Sequence, residues 1–201
     1  MSAHPVFRAV ASRFGKPLAA PSANPFGRIS PTTAEHVRDG LEGRIPLIVD
    51  GGPCVVGIES TIVAVEGERL RILRAGPITP DDLAPFGEVE FVTASATPNA
   101  PGQLKSHYAP RTRLLLLSVG THVRYTDRTG YLQFQGSAVS RFYRTEVLSP
   151  TGDLREAAAT LFAKLRRLDE AGLHTILAET IPEHGLGIAI MDRLRKASSN
   201  E

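Results

Sequence analysis

The hydrophobic pattern of this chain changes character at residues 101–110, PGQLKSHYAP, a stretch bracketed by two prolines. Beyond it, apolar and polar positions alternate in long, regular blocks. Residues 114–119, LLLLSV, form a continuous apolar run, which predicts a strand buried on both faces. Residues 130–134 predict a second strand, 145–148 a weaker third and 175–178 a fourth. Between the last two, Leu154, Ala157, Ala158, Leu161, Leu165 and Leu168 recur at spacings of three and four. That is one face of a helix from Leu154 to about Glu170, capped by Thr151-Gly152-Asp153 and closed by Gly172. A last helix is predicted over 188–196. Strands alternating with helices predict a parallel, Rossmann-like sheet.

Upstream, the apolar runs are shorter and interrupted by Gly, Pro and Ser. Val6, Phe7, Val10 and Phe14 predict a helix over 6–14 with Gly15 as its C-cap. Residues 18–20 and 45–49 predict short buried strands. Ser30-Pro31 predicts a helix start with Ser as N-cap and Pro at the first position. Thr32 with Glu35 offers an alternative capping box, and Gly40 or Gly43 the end. Residues 62–65 and 70–74 predict a hairpin around Glu66-Gly67-Glu68. Thr79-Pro80 opens a short helix, and 94–100 read as loop. These strands suit a larger sheet than this segment could build. The expectation is therefore the C-terminal part of an α/β domain that starts further upstream.

The stretch 101–110 resists helix because of its prolines and reads as extended chain. His107 and Tyr108 leave two readings open. It is either an ordered spacer whose Tyr packs on a neighbour, or a strap lying across a site and lending it groups.

Composition narrows the classes. The chain has 42% apolar and 22% charged residues, as a soluble globular protein does. A net charge of +2 is too small to argue for nucleic acid. Arginines such as Arg111, Arg113 and Arg141 add positive charge but carry no aromatic–basic motif, so direct RNA binding is a weak reading. No run approaches 18 apolar residues, and no secretory signal opens the chain. Cys54, the single cysteine, allows no internal disulfide. It fits a reducing, cytoplasmic setting and reads as a small buried hydrophobe.

Three stretches carry candidate chemistry. Ser22 and Asn24 in the loop 21–27 can donate hydrogen bonds, and the predicted helix start at Ser30 offers free N–H groups to an anion. The same residues serve equally as a turn and a cap. Ser60 and Thr61 begin the hairpin that Arg74 ends. A hydroxyl pair facing a guanidinium suits a phosphate or other oxyanion, though an edge Ser/Thr and a surface Arg would look alike. Gly185-Leu186-Gly187 lacks the rest of a dinucleotide fingerprint and reads as a tight turn.

Four motifs occur in one order: Pro21-Ser22-Ala23-Asn24; Gly57-Ile58-Glu59-Ser60-Thr61 with Ile72-Leu73-Arg74-Ala75-Gly76; His107-Tyr108-Ala109-Pro110; and Gly185-Leu186-Gly187 through Asp192-Arg193-Leu194. Together they resemble the threonylcarbamoyl-AMP synthases in their long form. That form has a YrdC-like domain, a linker and a C-terminal accessory domain, expected here at 1–97, 98–112 and 113–201. The resemblance implies a reaction of L-threonine, bicarbonate and ATP, with Mg²⁺ assisting, to threonylcarbamoyl-AMP and pyrophosphate. The product would feed a tRNA threonylcarbamoyl transferase complex acting at tRNA position 37. By motif position Ser22, Asn24, Ser30, Arg74 and Tyr108 would serve ATP, and Ala20 and Ser60 L-threonine. Thr61 and His107 would support them. No residue is identified as a covalent catalyst and none as a metal ligand. The family's upstream Lys-x-Arg motif is absent from these 201 residues. The chain is therefore expected to be inactive alone, with a non-catalytic nucleotide- or protein-binding remnant as the alternative.

Overall fold

Pro5–Phe14 forms helix α1, which Gly15 closes in the left-handed conformation at φ 70°. The computed structural model describes residues 2–92, 107–117 and 127–199. The loop 94–100, linker residues 101–106 and the strand end 118–119 lie outside the described residues. No helix among the described residues is long and apolar enough to cross a membrane.

Helix α2 runs Ala34–Leu41, later than Ser30-Pro31 predicted. Thr33 holds extended dihedrals, and its hydroxyl accepts from His36 N at 3.2 Å, so it is the cap. Glu35 turns instead to Arg38. Ser30 is freed from capping and is buried. The predicted strands at 18–20 and 45–49 do not form. A strand needs a ladder partner, and none of the described strands pairs with either run. Leu47 is 74% exposed and Val49 61%. Cys54 is exposed rather than buried.

The predicted hairpin is present. Strands β1 (Ile62–Glu66) and β2 (Arg69–Arg74) pair antiparallel, with Ile62 opposite Arg74. Thr79 and Asp82 complete a capping box on the short helix α3 (Pro80–Leu83). Strand β3 (Glu88–Phe91) joins β2 in parallel. It was missed, although its polar–apolar alternation, Glu-Val-Glu-Phe, carried the signal.

The second sheet is parallel throughout, in the order β4-β7-β5-β6. Its strands are β4 (Arg113–Leu117), β5 (Thr129–Gln133), β6 (Arg144–Val147) and β7 (Thr175–Glu179). The leucine run forms an edge strand, not the doubly covered central one. Leu114 is fully buried while Leu115, Leu116 and Leu117 are half-buried. The centre is taken by β7 and β5. Helices α4 (Leu154–Asp169) and α5 (Leu186–Ser198) cover one face and share its core with Leu114, Leu132, Ile176 and Ala178. The other face carries a smaller cluster of Tyr131, Phe142 and Leu177.

Ile29, Ile58 and Tyr108 belong to the same core as the two helices. The first half of the chain thus packs on the outer side of α4 and α5. Gly57 permits this close approach. Its φ is 77°, and a Cβ there would lie 2.4 Å from the carbonyl oxygen of Ala158 in α4. Gly187 plays a similar part at the start of α5, where a Cβ would meet Pro182 O at 1.8 Å. The glycine pair 185/187 therefore serves a tight turn and close packing.

Candidate functional site

The order of the hairpin decides where its hydroxyls and guanidinium meet. Ile62 opposes Arg74, so Ser60, two residues before the strand, falls beside the Arg74 side chain. Arg74 Nε donates to Ser60 O at 2.9 Å, and its terminal nitrogen to Ser60 Oγ at 3.1 Å. Thr61 turns away, exchanging hydrogen bonds with the backbone of Ile78. Arg74 is half-buried, and burial lowers its pKa without threatening its charge at neutral pH.

A groove of about 1100 Å³ has Ser22, Ser30 and Glu59 in its wall, while Ser60 and Arg74 themselves lie outside its lining. Its other walls include Val6, Val10 and Val55, largely apolar and open to solvent. Asn24 Nδ2 donates to Pro25 O and Arg28 O, which shapes the loop, while its Oδ1 has no protein partner. Ala20 is exposed and lies outside the residues lining the groove.

The linker end is pinned on both sides. His107 N donates to Lys196 O of α5 at 3.3 Å, and Ala109 N to Gly27 O at 2.9 Å. Between them, Tyr108 is only 1% exposed. Its ring stacks on Phe162 of α4 at 5.5 Å and lies under the Arg193 guanidinium at the same distance. Its φ of 61° is the only positive value at a non-glycine among the described residues. A bulky side chain in that region is strained and persists only where surroundings over-determine it. Burial pushes its hydroxyl pKa up to about 12, with Arg193 and Arg74 acting in the opposite direction. Tyr108 is therefore an anchored core residue at the edge of the site, not an open cover. The His107 ring meets Phe26 and Tyr108 edge-on, and burial lowers its pKa.

Two residues that sequence reasoning left without a role sit at the centre. Glu59 accepts from Ser30 Oγ at 2.6 Å through one oxygen and from Arg193 at 3.1 and 3.2 Å through the other. Arg193 is 1% exposed and also donates to Ala75 O. The signal was available. Arg193 falls on the apolar face of its helix, in register with Ala189, Ile190 and Ala197, and a buried guanidinium requires a carboxylate.

Comparison with known proteins now assigns the lineage. Residues 68–199 match the family described as "Threonylcarbamoyl-AMP synthase, C-terminal domain". The chain belongs to the threonylcarbamoyl-AMP synthase family. Residues 1–76 match a second family, Sua5/YciO/YrdC, described as "Telomere recombination". The threonylcarbamoyl-AMP synthase of Bacillus subtilis is 36% identical over 214 residues, covering 98% of this chain and 62% of that protein. That of Schizosaccharomyces pombe is 35% identical, covering 99% and 56%. The crystal structure of Pyrococcus abyssi Sua5 complexed with L-threonine superposes with a TM-score of 0.86 at 32% identity, covering 98% of this chain and 62% of that one. The chain thus spans roughly six-tenths of the length of these relatives. The mixed α/β architecture and the parallel accessory sheet agree with the resemblance read from the motifs.

Proposed function

We propose that these residues contribute part of the substrate site of an L-threonylcarbamoyladenylate synthase, joining L-threonine, bicarbonate and ATP with release of pyrophosphate. The observation that carries this reading is the Ser60–Arg74 pair at the hairpin mouth, held at 2.9–3.1 Å and joined to the groove that Ser22 and Ser30 line through Glu59, which precedes Ser60 and accepts from Ser30 Oγ. The relative solved with L-threonine supports it. Arg74 supplies a planar, permanent positive charge to phosphate oxygens. Ser22 donates from the loop that Asn24 shapes. Ser30 has its proton committed to Glu59, so its oxygen accepts, which suits a ribose hydroxyl better than a phosphate. Ser60 and Ala20 serve the threonine side, with Thr61 and His107 holding their surroundings. Tyr108, buried within electrostatic reach of Arg74, would serve the nucleotide through that neighbour.

Catalysis in this reading is positioning and charge stabilisation, since no side chain here is an activated nucleophile. Among the described residues no three His, Cys, Asp or Glu side chains converge on a metal position. Mg²⁺ would arrive with the triphosphate of ATP. The product would pass to a tRNA threonylcarbamoyl transferase complex in the cytoplasm. The groove's apolar wall at Val6, Val10 and Val55 is open to solvent. An adenylate-forming site must exclude water, so the 201 residues alone would bind but not turn over.

Isothermal titration with ATP, with and without L-threonine, tests this. The expected result is binding that Arg74→Ala weakens about tenfold, the order of one charge-assisted contact. Pyrophosphate release is expected to be absent. An Arg74→Ala chain that binds ATP as well as the parent refutes the site. Binding mapped wholly to residues after Arg111 favours the non-catalytic remnant.

A further inference from the structure

Arg193 lies on the helix farthest along the chain, yet it touches both ends of the hairpin mouth. Its Nε and one terminal nitrogen grip the Glu59 carboxylate at 3.2 and 3.1 Å. Its other terminal nitrogen donates to Ala75 O. Glu59 directly precedes Ser60, and Ala75 directly follows Arg74. The second Glu59 oxygen takes the Ser30 hydroxyl at 2.6 Å. Beneath the guanidinium lies the strained Tyr108 ring. One side chain therefore ties together Ser30, the Ser60 segment, the Arg74 segment and the linker.

We infer that Arg193 is a positioning residue: through Glu59 and Ala75 it sets Ser30 and Arg74 in their places, so that the accessory domain assembles the nucleotide site without touching the nucleotide. The inference rests on the function proposed above. Its geometry is independent of that function. The planar guanidinium suits this place because its three nitrogens reach Glu59, Ala75 and Asp192 at once, whereas a lysine ammonium offers its three donors from a single atom. The guanidinium is also the cheapest cation to hold at 1% exposure, because it keeps its charge and is weakly hydrated. Asp192, at 3.1 Å from the same nitrogen that reaches Ala75, adds a second negative neighbour. Helix α5 thus brings an acid–base pair to the domain boundary, with Lys196 salt-bridged to Asp192 one turn on.

The test uses Arg193→Lys, which keeps a buried cation and is the safer variant for folding, with Arg193→Ala beside it. Hydrogen exchange of residues 57–61 and 74–77 is measured first, without ligand. At least tenfold faster exchange in Arg193→Lys is expected, with residues 129–133 unchanged. Unchanged exchange at the hairpin mouth overturns the inference. ATP affinity is then measured for Arg193→Lys, for Ser30→Ala/Arg74→Ala and for the variant that combines all three. Arg193→Lys should weaken ATP about fivefold alone and less than twofold when Ser30 and Arg74 are both already alanine. An equal factor in both backgrounds means a general structural role and overturns the positioning role. No ATP binding by the parent chain defeats the proposed function instead, and the exchange result still decides whether Arg193 holds the two segments.

Discussion

Replacing Tyr108 by glycine should damage the fold less than replacing it by alanine. Both substitutions delete a ring that is 1% exposed and stacked on Phe162. Losing a buried aromatic costs about 3–5 kcal/mol, and this loss is common to both. They differ in the backbone. At φ 61° an alanine keeps the left-handed strain, about 1–2 kcal/mol. Glycine relieves it but gains unfolded-state freedom worth about 0.4–1 kcal/mol. Glycine should therefore end ahead, by about 0.8 kcal/mol at the middle of these ranges. In ordinary helix or strand positions the order is reversed by a similar amount. Urea unfolding followed by far-UV circular dichroism, compared at equal m-value, measures the difference. An alanine variant as stable as the glycine variant, or more so, would show that Tyr108 is not left-handed in solution. The strained-anchor account of the linker would then fail.

Gly57→Ala should lose several kcal/mol, because its φ is 77° and the new Cβ would meet the α4 backbone at 2.4 Å, where nothing flexible can yield. A thermal midpoint within about 1 °C of the parent would contradict the packing described. Burial holds His36 and His107 below the ordinary histidine value of 6.5, so the unfolded chain takes up protons first as the pH falls. Stability should be complete above about pH 6.5 and decline below it toward the lowered folded values. The carboxylates of Asp82 and Glu183, held low chiefly by hydrogen bonds from Thr79 and Arg195, add their loss only at more acidic pH. A melting temperature that stays flat between about pH 7.5 and 5.5 refutes this, and the His36→Gln/His107→Gln pair should flatten the decline.

The local patterns were legible where one element decides its own conformation. The helix behind Asp153 announces itself by spacing and cap. The hairpin around Gly67 does so by alternation and turn chemistry. The motif order pointed to the family, which comparison bears out. What failed depended on partners. Residues 18–20 and 45–49 are apolar enough for strands, but a ladder is made by two chains, and the described residues offer them no second one. The leucine run at 114–117 reads as central because periodicity reports hydrophobicity, not position in a sheet. Helix α2 begins three residues late because Thr33 rather than Ser30 acquires the extended dihedrals of a cap. Sequence alone determined the long helices of the second half, the hairpin and the family the chain joins, because these follow from neighbours close along the chain. Only the tertiary structure placed Arg193 against Glu59, 134 residues away, and drove Tyr108 into a left-handed core position. Both are set by packing between distant elements, and a buried charge or a strained backbone is stable only when that packing satisfies it.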